Sequence, residues 1–342
     1  MRIALIDDSV PFDGYTPASS PLGGAEKALV GLAKALAARG HEVTVINRCA
    51  HALRADGVDW RPWDSPRPLE TDALVAYRRP SLLTQVRKAA RRVLWLSGPP
   101  DGLAKPAIDA ALKELNPTLA FIGPTQAARW RGPRLPWAVV PPGIADEYVH
   151  AGGRLGSGGP PVAITTTHPA HGLDWLVDLW TARIHPRCPT AELHIYSALL
   201  SRPDLGRALP EEFRPLRAKV EAAAAQGVSL REPQGDVAMA LAYRAARVHL
   251  YPGNRDDMAC WTLGETQACG VPAVARPAGA AHERIDNGQT GYIVPDDDAF
   301  ANVAAQVLND DGMFAGLSSA AAEKARARTW ASAAQAFEAL LK

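Results

Sequence analysis

Residues 251–272 read YPGNRDDMACWTLGETQACGVP. The run that feeds this stretch, Val248–Tyr251, is short, apolar and rich in β-formers, so it reads as a buried strand. Pro252, Gly253 and Asn254 break the strand, and a helix is expected to start near Thr262 or Leu263. Asp257 stands in the loop, and Glu265, with seven residues between them, stands one turn inside the helix. Strand, loop and helix in this order are one unit of a parallel α/β sheet.

The same alternation continues in both directions. Strands are expected at Arg2–Ile6, Glu42–Asn47, Ala73–Tyr77, Val93–Leu96, Leu119–Gly123 and Ala138–Pro141. The Ala/Leu-rich run Ala25–Arg39 predicts a helix stopped by Gly40. Residues Ala151–Pro161, AGGRLGSGGPP, carry no apolar period and read as a flexible linker. Beyond it strands are expected at Val162–Thr166, Glu192–Ser197, Val228–Arg231, Val248–Tyr251, Ala273–Ala275 and Tyr292–Val294. Helices are expected within Leu173–Ala182, Glu265–Cys269 and Ala320–Leu341. This pattern predicts two doubly wound α/β domains, residues 1–150 and 162–325, joined by a hinge at 151–161. Residues 326–342 would form a closing helix that packs back on the first domain, and the cleft between domains is the default site.

Composition narrows the function classes. The 342 residues are 47% apolar and 21% charged, ordinary for a globular protein. No stretch approaches 18 consecutive apolar residues, and the opening MRIALIDDS reads as a first strand, so a cytoplasmic protein is expected. Cys49, Cys188, Cys260 and Cys269 are widely spaced with no CxxC pair, which argues against disulfides and structural zinc. His185 and His194 flank Cys188 at no ligand spacing, so no metal is expected. A net charge of +1 argues against nucleic acid as a partner. One stretch, Arg78–Arg92, holds six basic residues and no acidic one. Its Gln85–Arg92 part reads as a short basic helix, either a solvated face or a dock for an anionic acceptor or membrane surface.

Three places can carry chemistry. Glu265 can accept hydrogen bonds from both hydroxyls of a ribose, and Asp257 can accept them from a sugar. The amides of Cys260, Trp261 and Thr262 can hold a phosphate at the helix start. The plain alternative is a surface aspartate and a helix-start glutamate that favours the dipole. Gly23 and Gly24 follow the first strand and let the backbone approach a ligand, with Glu26 either beside that ligand or stabilising the first helical turn. GxGxxG is absent there, which removes the usual phosphate loop of a nicotinamide enzyme. Trp60, Trp63, Trp95 and Trp130 are candidates to stack on a sugar.

Asp-x7-Glu followed by Thr266-Gln267-Ala268-Cys269-Gly270-Val271-Pro272 resembles the donor-site signature of the retaining glycosyltransferases of family 4. Further similar segments occur in order: Gly23-Gly24-Ala25-Glu26, Gly40-His41-Glu42-Val43, Pro141-Pro142-Gly143-Ile144, Pro277-Ala278-Gly279-Ala280 with Glu283, and Asn287-Gly288-Gln289-Thr290-Gly291. The resemblance implies a GT-B fold, two Rossmann-like domains facing each other across a cleft. It implies metal-independent transfer of a hexose-type sugar from a UDP- or GDP-sugar to a glycan, lipid-linked or other hydroxyl acceptor, with no further cofactor. On that resemblance Glu265 would hold the ribose and Asp257 the hexose. Thr166, Thr167, His171 and Gly172, with the Gly23-Gly24 loop, would face the diphosphate. Glu26, Trp95, Ser97 and Gly98 would lie on the acceptor side. Departures are visible: Asp257 replaces the usual Glu, His171 stands at a Lys/Arg position, and Ser97 or Gly98 stands where the family often has His. A nucleotide-sugar epimerase or hydrolase, or a non-catalytic binder, are the other readings.

Overall fold

The computed structural model describes residues 1–150, 159–201 and 209–342. The chain divides into two compact units, Met1–Ala145 with Arg328–Lys342, and Asp146–Ala327. The expected hinge therefore falls mostly on residues 151–158, outside the described residues.

In the first unit β1 (Arg2–Ile6) leads to α1 (Gly24–Ala38) and β2 (Glu42–Asn47). Next come β3 (Leu53–Ala55), β4 (Val58–Pro62), β5 (Glu70–Tyr77), β6 (Lys88–Trp95), β7 (Thr118–Phe121) and β8 (Trp137–Val139). They form one sheet in the order β3-β4-β2-β1-β5-β6-β7-β8, parallel except for the β3–β4 pair. Ile3, Ala4, Leu5 and Ile6 are all sealed from solvent, as a parallel sheet covered on both faces requires.

Two features differ from the expected pattern. The short β3 and β4 escape an apolar-run reading because LRA and VDWRP alternate with charged residues. Residues 85–92 do not form a basic helix. Lys88–Arg92 instead begin β6, where Lys88 pairs with Glu70 of β5 while β7 reaches only Val93–Trp95. Sheet pairing outweighs the helix preference of KAARR. The charges are also dispersed. Arg79 pairs with Asp8 at 3.0 Å, Arg91 reaches the Lys342 carbonyl at 2.6 Å, and Arg92 donates to the carbonyls of Leu83, Val86, Arg87 and Ala89.

In the second unit the order is β9 (Val162–Thr165), α2 (Leu173–Leu179), β10 (Glu192–Tyr196), β11 (Val228–Arg231), α3 (Asp236–Ala245) and β12 (Val248–Tyr251). Then follow α4 (Trp261–Ala268), β13 (Ala273–Ala275), β14 (Gly291–Ile293), α5 (Asp297–Asn309) and α6 (Asp311–Arg326). The sheet order is β11-β10-β9-β12-β13-β14, all parallel. Asp146 opens this unit because Tyr148 is buried in it and donates to Asp236 Oδ1 at 2.7 Å.

The last helix, α7 (Trp330–Leu341), belongs to the first unit. Glu338 accepts from Arg39 at 2.5 and 2.8 Å and lies 2.9 Å from His41 Nε2. Phe337 meets Trp95 edge-on at 5.3 Å. A Cβ on Gly143 would stand 2.3 Å from the Trp330 backbone nitrogen, so only glycine lets the two segments cross there.

His249, at the centre of β12, is fully buried, with Nδ1 3.0 Å from Thr266 Oγ1 of α4. Burial lowers its pKa to about 3. The unfolded chain takes up this proton near pH 6.5, whereas the folded chain resists until about pH 3. The contribution is therefore present above pH 6.5 and lost as pH falls through that window. Urea unfolding between pH 7 and pH 4 is expected to show a slope of up to about 1.4 kcal/mol per pH unit from this group, flattened in His249→Gln.

Candidate functional site

Both sheets reverse direction at one point, between β1 and β5 in the first unit and between β9 and β12 in the second. Loops leaving such neighbouring strands turn to opposite faces, so a crevice opens at their carboxyl ends. Gly23, Thr166, Thr167, His171, Gly172 and Asp257, singled out from sequence, follow β1, β9 or β12.

In the first unit Gly23 caps the amino end of α1, and Glu26 folds back over it so closely that a Cβ on Gly23 would lie 2.3 Å from Glu26 Oε2. Glu26 Oε1 accepts from Arg78 at 2.7 Å, and Arg78 reaches Asp7 at 2.6 Å. Tyr77 donates to the Ala25 carbonyl at 2.8 Å and shares a hydrogen bond with Ser97. Gly24, Glu26 and Ser97 are thus brought together, with Asp7 and Arg78 as members that no local motif announced. Gly98 is fixed nearby through its carbonyl, which accepts from Gln126 at 2.7 Å. Trp95 is corrected. It is 1% exposed, packed between Tyr77 at 4.6 Å and Phe337, and so faces the core and not an acceptor. Trp60 is equally buried.

In the second unit β9 ends in three threonines. The hydroxyls of Thr165, Thr166 and Thr167 are buried and find no hydrogen-bond partner among the described residues. An orphaned buried hydroxyl is costly unless something else satisfies it, and here three occur in succession at a sheet reversal. The chain then turns through His168 and His171, whose rings lie 5.2 Å apart, to Gly172. Gly172 has φ +88 and abuts Pro252, which joins this loop to the one after β12. Burial first, then neighbouring His171, lowers the pKa of His168.

The loop after β12 is held by Asp257. One carboxylate oxygen accepts from the amides of Cys260 at 2.7 Å and Ala259 at 3.2 Å, and the other accepts from the Tyr251 hydroxyl. The Cys260 amide is therefore taken by Asp257, which corrects its expected role as a phosphate donor. Cys260 is also fully buried at a left-handed φ of +47, and burial raises its thiol pKa. The amides of Trp261 and Thr262, at the start of α4, have no acceptor among the described residues. Gly279 closes the frame. It has φ +57, and a Cβ would lie 2.4 Å from the carbonyl oxygens of Asn254 and Asp257.

Glu265 projects from α4 and is 8% exposed. Its Oε2 accepts from Tyr243 of α3 at 3.4 Å. Burial, with the charge of Glu265 second, raises the Tyr243 pKa well above its usual value, so the phenol stays a donor. Tyr148, stacked on Tyr243 at 5.7 Å, holds Asp236 in the same way.

Residues 162–310 match the family described as Glycosyl transferases group 1. This stretch is similar to group 1 glycosyl transferases, and it is less than half of the chain. The chain is 30% identical over 219 residues to a D-inositol 3-phosphate glycosyltransferase of Streptomyces avermitilis, covering 58% of this chain and 45% of that protein. It spans about half the length of the curated relatives it matches. Among solved structures it is similar to sucrose-phosphate synthase from Thermosynechococcus elongatus, with TM-score 0.78 and 16% identity over 99% of this chain and 98% of the other. Anabaena HepE in complex with UDP and glucose gives TM-score 0.67 and 16% identity over 100% and 99%. The fold is GT-B, with the matched stretch in its second Rossmann-like unit.

Asp257 organises its loop whether or not a ligand is present. Asp257→Ala strands two amides and a buried phenol, and is expected to cost about 1–3 kcal/mol in ligand-free urea unfolding. Tyr251→Phe, which removes one donor, is expected to cost about 1 kcal/mol.

Proposed function

We propose that the chain is a retaining, metal-independent glycosyltransferase. It moves a hexose-type sugar from a UDP- or GDP-sugar to a glycan, glycolipid or other hydroxyl acceptor of cell-envelope or surface polysaccharide assembly. The observation that carries this reading is the row of unpartnered threonine hydroxyls at the sheet reversal of a unit similar to group 1 glycosyl transferases. Those hydroxyls, with the Trp261 and Thr262 amides, are the donors offered to a diphosphate. Glu265 is the acceptor for the ribose hydroxyls, with Tyr243 orienting it. Breaking the sugar–phosphate bond leaves an oxocarbenium-like sugar and a charged leaving group. The leaving phosphate takes the proton of the incoming acceptor hydroxyl. Asp257 acts by shaping the loop that faces the hexose, and His171 by offering a ring nitrogen as a hydrogen-bond donor beside the diphosphate.

The Asp7–Arg78–Glu26 group and Ser97 form the acceptor side of the first unit in this reading. A cytoplasmic location goes with it. Contact with an anionic membrane rests on Arg87 and Lys88, since the other basic residues of Arg78–Arg92 are committed to protein partners.

Two measurements test the proposal. A panel of nucleotide-sugars with and without hydroxyl acceptors is expected to show acceptor-dependent release of nucleoside diphosphate. Release that ignores the acceptor points to a hydrolase or epimerase, and binding without any release points to a binder. Glu265→Ala is expected to weaken donor binding at least tenfold by calorimetry while leaving acceptor binding intact. Unchanged donor affinity removes Glu265 from the site.

A further inference from the structure

Another feature of the second unit lies outside the residues read from sequence. The loops after β9, β12 and β13 enclose a concavity of about 390 Å³. Its charged and polar lining side chains are His171, Asn254, Arg255 and Arg276, and the rest are Ala, Gly and Pro. No carboxylate lines it. Arg276 leaves the carboxyl end of β13 with its guanidinium 4.8 Å from the centre of the Trp175 ring. Trp175 is itself fixed, donating to Asp297 Oδ1 at 3.0 Å and meeting Phe300 edge-on at 5.1 Å. The Arg276 side chain makes no ion pair or hydrogen bond among the described residues. Stacking holds a guanidinium in place without using its five donors, which stay available for a planar or tetrahedral oxyanion. Arg255 adds a second cation, 3.9 Å from the Asp256 carboxylate.

We propose that this concavity is a phosphoryl-anion site in which Arg276, stacked on Trp175, supplies the fixed positive charge. His171 lines it as well. The anion is either the diphosphate of a nucleotide or a separate phosphate group, and only the first of these rests on the function proposed above. Concave walls concentrate the field of a cation such as Arg276, and bidentate arginine contacts give the geometry that selects a phosphoryl group. Arg276 would thereby provide a permanent charge beside His171.

The test is titration of the full chain with inorganic pyrophosphate and, separately, with UDP, in wild type, Arg276→Ala and Arg276→Lys. Arg276 is exposed, so equal thermal melts of the three proteins check that the fold is kept. Pyrophosphate is expected to bind wild type, to bind Arg276→Ala at least tenfold more weakly, and to recover in part in Arg276→Lys. Equal affinity in wild type and Arg276→Ala, or no pyrophosphate binding to wild type, overturns the site. If UDP competes with pyrophosphate and weakens in parallel, the anion is the nucleotide diphosphate. If both bind together, the site takes a separate phosphate. If UDP fails to bind while pyrophosphate binding depends on Arg276, the site stands and a UDP-sugar is excluded as the donor.

Discussion

Parallel strands impose a single constraint from which the rest follows. Each crossover must be right-handed, so a sheet grows to one side and then, from its first strand, to the other. Where it reverses, two loops part and leave backbone and side-chain polar groups without neighbours. This happens between β1 and β5, and again between β9 and β12. At the first reversal the polar groups satisfy one another, Asp7 and Glu26 sharing Arg78. At the second, three threonine hydroxyls do not. The contrast separates a preassembled charged platform from a turn whose hydroxyls find no partner among the described residues.

Three carboxylates of the second unit share one arrangement. Asp257, Glu265 and Asp236 each accept from a buried tyrosine, Tyr251, Tyr243 and Tyr148. Burial raises all three phenol pKa values, so the hydroxyls remain protonated and keep donating. A carboxylate read as facing a ligand is thus first oriented by a neighbour from another element. That neighbour has no fixed spacing from it in the chain, and no local motif reveals it.

This explains what the sequence did and did not disclose. β1, β2, β11, β12 and β13 have the bounds expected of them, because each is an apolar run stopped by turn or charged residues. The loop positions of His171, Gly172 and Asp257, and the helix position of Glu265, were equally legible from glycine, proline and acid spacing. The errors arose where tertiary pairing decides. KAARR became strand because β5 lies beside it, Trp95 turned inward because Phe337 arrives from the far end of the chain, and the Cys260 amide was taken by Asp257. Arg276 was overlooked because its meaning depends on Trp175, about a hundred residues away on α2.

The return of α7 to the first unit sets an order of assembly. During synthesis from the amino end, residues 146–327 emerge complete before Arg328–Lys342 exist, so the second unit can close its core while the first still lacks a helix. Until then Trp95 and the α1 face that receives Trp330 are uncovered apolar surface. The amino-terminal half of the polypeptide is thus the later one to mature, and it is the half that a chaperone holding nascent chains would have most reason to shield.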